Sequence, residues 1–434
     1  MTMKLLMMLS LWLWAPTISC TLSLSRPQVF VSAFSSLPRS VSSTRRDTFV
    51  PSRTTVDDTS TADTITTDDA LPILLDDDDG RSSSCWATYA LLFSSLSDGI
   101  LPNDDAKSFL RYSLVNSLLR EHIVHKEGLL ESSVKFSPCN GPNTDTLRKM
   151  ERFDLLLERG RELFPSDVTA ASYDNESIDA WSDETLGQLQ SDRMNELHLR
   201  VLYIPTAMYA LNPQSTNTPG KQRQRARADG KQRRDQLLNL LKDLFPQQVN
   251  LLAVTLDLDD GSLKQPYGSE NKSLFPENDI ASFSTWHPHL IYVEGGNTFW
   301  LQHCIDKGGY AKLIKGACTG NGSAVYCGKS AGAIVAGKCV ATATWKEWDD
   351  PSIVPEKQIY SDWLQCQGME FVGQHSFFPH MSDAWSETVR ERVERHNLVG
   401  SNSVYCLHEQ DACCVMGERK LAFLTLGPEA FTSS

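Results

Sequence analysis

The sequence predicts an α/β chain, a doubly wound and mostly parallel sheet with helices on both faces. Two observations carry this. From residue 198 onward, apolar runs of strand length alternate with amphipathic helical stretches, the order that builds parallel sheets. Two of those stretches, "HLIYVEGGNTFWL" and "GSAVYCGKSAGAIVAG", also share one plan: a buried strand, a glycine turn, then a helix.

The elements follow in order. "CWATYALLFSSL" (85–96) is the first apolar run with strand character, and "DAKSFLRYSLVNSLLREHI" (105–123) has helical spacing. Residues 137–197 are mixed and polar, with helix-like patches such as "TLRKMERFDLLLERGRELF". They read as a peripheral insertion. "HLRVLYIPTA" (198–207) is a strand ending in proline and small residues, "RRDQLLNLLKDLF" (233–245) an amphipathic helix, and "VNLLAVTLDLDD" (249–260) a further strand. Residues 289–314 read as strand, turn and one helix.

Composition narrows the function. A net charge of −13 argues against general nucleic-acid binding, because phosphate contacts need clustered Lys and Arg. The basic patch "KQRQRARADGKQRR" (221–234) reads as a solvated surface element in this acidic chain. Eleven cysteines, odd in number and spread out, suggest buried thiols and a reducing final compartment. His and Cys do not cluster at ligand spacing, so no metal is expected. The run Asp76 to Asp79 reads as a solvated acidic segment.

Residues 1–47 read as a bipartite targeting leader. "MTMKLLMMLSLWLWAPTISC" has a lysine before a short apolar core, as a signal peptide does. "VFVSAFSSLPRSVSSTRRDTFVPSR" is rich in Ser and Arg and poor in acids, like a transit peptide. The tandem, with Phe34 at the junction, resembles the plastid leaders of algae with secondary plastids. A secreted or endomembrane-lumen protein is the alternative. No second apolar stretch is long enough to span a bilayer, so no membrane association is expected after processing. Residues 48–83 read as a disordered acidic linker, and 84–434 as the folded domain.

The chemistry centres on Gly328-Lys329-Ser330-Ala331-Gly332, a G-x-S-x-G pattern between a strand and a helix. A serine on this sharp turn is lifted out of the sheet, and the helix N-terminus favours a developing oxyanion. Serine needs a base. His380, in "SFFPHMSD", is the candidate, with His375 and His408 as rivals. The base needs a carboxylate to hold its tautomer. Asp349 in "WKEWDDPSI" and Glu409 in "CLHEQDA" both qualify, and the residues alone leave the choice open. Oxyanion donors are expected from the N–H of Ala331 and from the Gly295-Gly296 turn.

Taken together, "VLYIPTA", "VTLDLDD", "IYVEGGNTFWL", "VYCGKSAGAIVAG", "FFPH" and "CLHEQDA" resemble the family of dipeptidase E and cyanophycinase, across roughly residues 198–416. The resemblance implies a class I glutamine amidotransferase-like fold, a serine-type peptidase acting on small peptides through an acyl-enzyme, and no cofactor or metal. It makes Ser330 the nucleophile and His380 the base, with Asp349 or Glu409 as the acid. Asn297, Thr298 and Arg390 are expected at the substrate. The chain departs from the family at one place. Where dipeptidase E has the arginine that reads the substrate's aspartate, Val389 stands here, with Arg390 beside it. An esterase of the α/β-hydrolase type and a non-catalytic peptide-binding protein are the rival readings. No HGGG-like loop supports the first.

Overall fold

A computed structural model describes residues 88–95, 99–136, 144–164, 174–192, 197–246, 249–264, 272–276, 286–319, 323–355, 360, 366–398, 403–417, 419–423 and 430–431. The chain divides into two units, Met1–Asp77 and Asp78–Ser434, and every described residue lies in the second. The expected leader and acidic linker lie outside the described residues.

The strands are β1 (Tyr89–Phe93), β2 (His198–Ile204), β3 (Asn250–Asp257), β4 (Ser262–Lys264), β5 (Leu290–Val293), β6 (Val325–Lys329), β7 (Phe371–Gln374), β8 (Ser376–Pro379), β9 (Val404–Leu407), β10 (Ala412–Met416), β11 (Arg419–Phe423) and β12 (Ala430–Phe431). The helices are α1 (Asp104–Phe136), α2 (Thr144–Glu162), α3 (Asn175–Asp192), α4 (Pro219–Leu244), α5 (Thr298–Lys307), α6 (Tyr310–Cys318), α7 (Ala331–Ala336) and α8 (Ser386–Arg395).

The main sheet has eight strands in the order β11-β10-β1-β6-β5-β2-β3-β4. Its middle, β1, β6, β5, β2 and β3, is parallel, and the outer pairs are antiparallel. This is the mostly parallel sheet that the alternating elements predict. Each strand feeds both faces. Ala90 and Leu92 of β1 and Leu202 and Ile204 of β2 join one core, which α5, α6 and α7 cover. Tyr89, Leu91 and Phe93, with Val201 and Tyr203, join the other, which α1 to α4 cover. Burial on both faces explains why these strands read as continuous apolar runs rather than as alternation. Each fully buried large side chain there contributes about 1.5–3 kcal/mol.

The stretch read as a peripheral insertion holds α2 and α3, and Phe153, Leu156, Ile178, Trp181, Leu186 and Leu189 from it are buried with α1 in one core. Its polar residues are the outer faces of amphipathic helices, which conceal the apolar stripes within a polar average. One sequence expectation is corrected. The helix expected to run on to 314 is broken in two at Gly308-Gly309, where Gly309 turns left-handed at φ 64°.

A second sheet, β12-β9-β8, stands apart in hydrogen bonding from the first. In it, β8 and β9 run parallel, with Pro379 opposite Leu407. That register puts the residues just after both strands side by side.

Candidate active site

Ser330 sits between β6 and α7. Its N–H donates to the carbonyl of Phe93 at 2.9 Å, and its own carbonyl accepts from Ala333 and Ile334 at 2.8 and 3.0 Å. The residue is thereby pinned at φ 49°, ψ −106°, a strained backbone for a residue with a Cβ. The flanking glycines are required by close approach. A Cβ on Gly328 would stand 2.6 Å from the carbonyl oxygen of Gly332, and one on Gly332 would stand 2.5 Å from that of Val293.

Ser330 Oγ lies 2.8 Å from His380 Nε2. On the other side of the ring, Nδ1 lies 2.6 Å from Glu409 Oε1. A carboxylate only accepts, so the proton belongs on Nδ1. Nε2 is then the acceptor facing the serine hydroxyl. The register of β8 against β9 brings His380 and Glu409 together, and the Met381 N–H donates to the carbonyl of Leu407 at 2.9 Å. His380 itself is left-handed, with φ 56°. Burial lowers its pKa below the ordinary histidine value. Glu409 opposes that shift, and the charges of Lys346 and Lys329 reinforce it.

Of the two carboxylates that the sequence left open, Glu409 holds the imidazole. Asp349 instead accepts the N–H of Thr298 at 2.9 Å and lines the cavity beside Ser330. Burial raises the pKa of Asp349. The rival histidines lie elsewhere. His375 Nδ1 is 2.9 Å from Ser403 Oγ, and the His408 N–H donates to Asp411 at 2.9 Å.

The cavity in front of Ser330 is about 430 Å³. Parts of its wall come from the carboxyl ends of parallel strands: Ser95 after β1, Glu294, Gly295 and Gly296 after β5, and Lys329 at the end of β6. This is where open α/β sheets place ligands. Gly295 approaches Ser330 closely, since a Cβ on it would stand 3.1 Å from Ser330 Cβ. Its N–H, however, donates to Glu294 Oε2 at 3.3 Å. Among the described residues, the N–H groups of Gly296 and Ala331 make no hydrogen bond. Ala331 opens α7, where first-turn N–H groups lack intrahelical partners. Gly296 has φ 146°, and a Cβ there would meet the carbonyl oxygen of Ala207 at 2.3 Å.

The substrate candidates separate. Asn297 caps α5, its side chain accepting the Trp300 N–H at 2.9 Å. Thr298 is buried and holds Asp349. Arg390 does not reach the cavity. It is exposed on α8 and pairs with Glu387 at 2.6 Å, while Val389 beside it is fully buried. The expectation that Arg390 contacts substrate is therefore corrected. On α8 the buried stripe takes Val389 and Val393, and Arg390, about 100° around the helix, faces solvent.

Sequence reasoning missed several groups. Ser94, just after β1, accepts the N–H of His380 at 2.7 Å and lies 3.0 Å from Nδ1. Its only sequence signal is its place behind an apolar strand. Arg233, within the basic patch that read as a solvated surface, lines the cavity 3.8 Å from the buried Glu294. Lys346 and Trp348 also line it, and the Trp348 ring stacks obliquely 5.7 Å from that of His380. Away from the cavity, Asp257, Asp259 and Asp260 form a carboxylate group of metal-binding spacing, but Arg227 and Lys264 already pair with it. Among the described residues, no helix is long and apolar enough to cross a membrane.

A serine on a strand-to-helix turn, hydrogen-bonded to a histidine that is hydrogen-bonded in turn to a carboxylate, is a triad geometry, which is recognised by its roles and not by its order along the chain. Residues 276–422 match the model of peptidase family S51. That part of the chain is similar to the peptidase family that includes dipeptidase E and cyanophycinase, as its motifs suggest. Among solved structures it is similar to a Listeria monocytogenes EGD-e protein provisionally designated peptidase E. The two share 17% identity, over 57% of this chain and 93% of that one, with a TM-score of 0.30. A comparison with curated proteins returns no match.

Proposed function

We propose that the protein is a serine-type peptidase that hydrolyses small peptides through an acyl-enzyme. One observation carries this reading: Ser330, His380 and Glu409 form a continuous hydrogen-bonded line at 2.8 and 2.6 Å beside an open cavity. Ser330 Oγ–H gives its proton to Nε2 as the oxygen attacks the peptide carbonyl. The N–H groups of Gly296 and Ala331 hold the oxyanion. Nε2–H then protonates the leaving amine, and the imidazole next draws a proton from water to free the acyl group. Glu409 keeps the ring in the accepting tautomer and stabilises the imidazolium. No step calls for a cofactor.

The position of Arg390 gives no support to aspartyl selectivity read from α8. Any preference for an acidic residue would have to come from Arg233, Lys329 or Lys346, which line the cavity. The test is a panel of Asp-Xaa, Glu-Xaa, Arg-Xaa and neutral dipeptides plus a simple ester, assayed with the protein and its Ser330→Ala variant. Peptide hydrolysis that disappears in the variant is the expected result. Equal rates in both proteins would sink the reading. Ester cleavage without peptide cleavage would move the chain to the esterase class. We also propose that the first 47 residues direct the chain to a plastid, which a fluorescent fusion of residues 1–60 tests by where the signal collects.

A further inference from the structure

Lys346 is the most unusual cation in the site. It lies in the turn after the short 3-10 helix Val340–Thr344, and it is buried. Its ammonium donates to the carbonyl oxygens of Pro379 and His380, the second at 2.5 Å. Three aromatic rings surround it: Phe378 at 4.2 Å, Trp348 at 4.8 Å and Trp385 at 5.8 Å from Nζ to centroid. A buried ammonium is tolerated only where donors and charge are matched. Here the acceptors are the backbone of the catalytic base itself.

We propose that Lys346 is a positioning residue for His380. Its side chain anchors the strained backbone that carries the imidazole, and its positive charge keeps that imidazole neutral and able to accept the Ser330 proton. The inference rests on the serine-peptidase reading of the site.

The anchoring follows from geometry. His380 sits at φ 56°, a strained backbone for a residue with a Cβ that persists only where the surroundings hold it. The Ser94 hydroxyl takes the His380 N–H, and Lys346 takes its carbonyl, so both ends of the residue are fixed. The cation–π contacts with Phe378, Trp348 and Trp385 fix the lysine in turn.

The electrostatic part follows from the charges around the ring. Glu409, after β9, favours the imidazolium. Lys329, at the end of β6, and Lys346 disfavour it, as does burial. Ser94, after β1, and Ser330 are neutral neighbours. Lys346 in turn feels Glu409, Asp349 and Cys406, which favour its charge, while burial lowers its own pKa to about 7. Without Lys346, Glu409 would act on His380 less opposed, and the base would be protonated over a wider range of pH.

Two readouts on the full chain test this. The first is the pH titration of His380 by NMR with isotope-labelled histidine, the signal assigned by its loss in His380→Asn. The second is the rate at which a fluorophosphonate acylating probe labels Ser330, read against pH. Lys346→Met should move the His380 midpoint upward and slow labelling at neutral pH by about tenfold to a hundredfold, the scale of a small misplacement in a catalytic site. Lys346→Arg should leave the midpoint near that of the unaltered protein, because the charge remains, yet recover only part of the rate, because a planar fork does not fit the two carbonyls. A midpoint unmoved in Lys346→Met, or one moved as far by Lys346→Arg, overturns the electrostatic role. An unchanged labelling rate overturns the anchoring role. If Lys346→Met does not fold, Lys346→Gln takes its place in both comparisons. A folded, unaltered protein that the probe does not label would defeat the nucleophile reading, while the titration would still decide whether Lys346 acts on His380.

Discussion

The two sheets contribute to the site in opposite ways. The eight-stranded sheet supplies Ser330 from β6, which has parallel neighbours on both sides and is buried along its whole length. The small sheet supplies His380 and Glu409 from the ends of β8 and β9, joined by one parallel ladder. Ser330 is therefore placed by local geometry: a strand, a glycine pair and a helix start. His380 and Glu409 are placed by register, since a slip of one residue between β8 and β9 would separate them. A site divided in this way needs ties between its halves. Ser94 reaches from β1 to His380, and Lys346 holds the end of β8.

This contrast can be broken most decisively from the nucleophile side. On the proposed reading, Ser330→Ala should lower kcat by on the order of 10⁴–10⁶, the scale of removing a serine nucleophile, when assayed on the best dipeptide of the panel. On the register side, Glu409→Gln should cost about 10²–10⁴, because an amide can select the wrong tautomer. Asp349→Asn should cost less than about tenfold, because Asp349 faces Thr298 rather than the imidazole. If the two losses came out in the reverse order, Asp349 would have to be the working acid.

The remaining effects are smaller and sharpen the comparison. Trp181→Ala empties a core position covered by α2 and α3, its indole N–H lost from the carbonyl of Leu156. It should cost about 3–5 kcal/mol in a denaturant titration, with Ser330 labelling per folded molecule unchanged. A loss of labelling in step with stability would show that those helices also shape the site. The acid limb of kcat/KM should fall as His380 gains its proton. Because burial lowers that pKa, the half-point should lie below the ordinary histidine value of 6.5. A half-point above it would mean that Glu409 outweighs burial. Arg390→Ala should leave both activity and any Asp-Xaa preference unchanged, and stability within about 0.5 kcal/mol, as for other exposed pairs.

Much of this is legible in the sequence. The alternation of strands and helices specified the parallel sheet, because buried strands must be apolar on both faces. The G-x-S-x-G turn marked Ser330, because only glycine tolerates the approach of Gly332 to Val293 and of Gly328 to Gly332. His380 was marked by its place behind "SFFP". The buried stripes of residues 137–197 are hard to read from the sequence, because composition averages over a helix while burial acts on one face of it. The same holds for Arg390, which the helical stripe of Val389 and Val393 turns outward.

The sequence by itself determined the sheet, the nucleophile turn and the histidine, since each depends on neighbours close along the chain. Only the tertiary structure set Glu409 rather than Asp349 against the imidazole, and brought Ser94 to His380 and Arg233 and Lys346 to the cavity. Those outcomes depend on contacts between residues as far apart as Ser94 and His380, and such contacts are set by strand register and packing, which no local pattern of residues encodes.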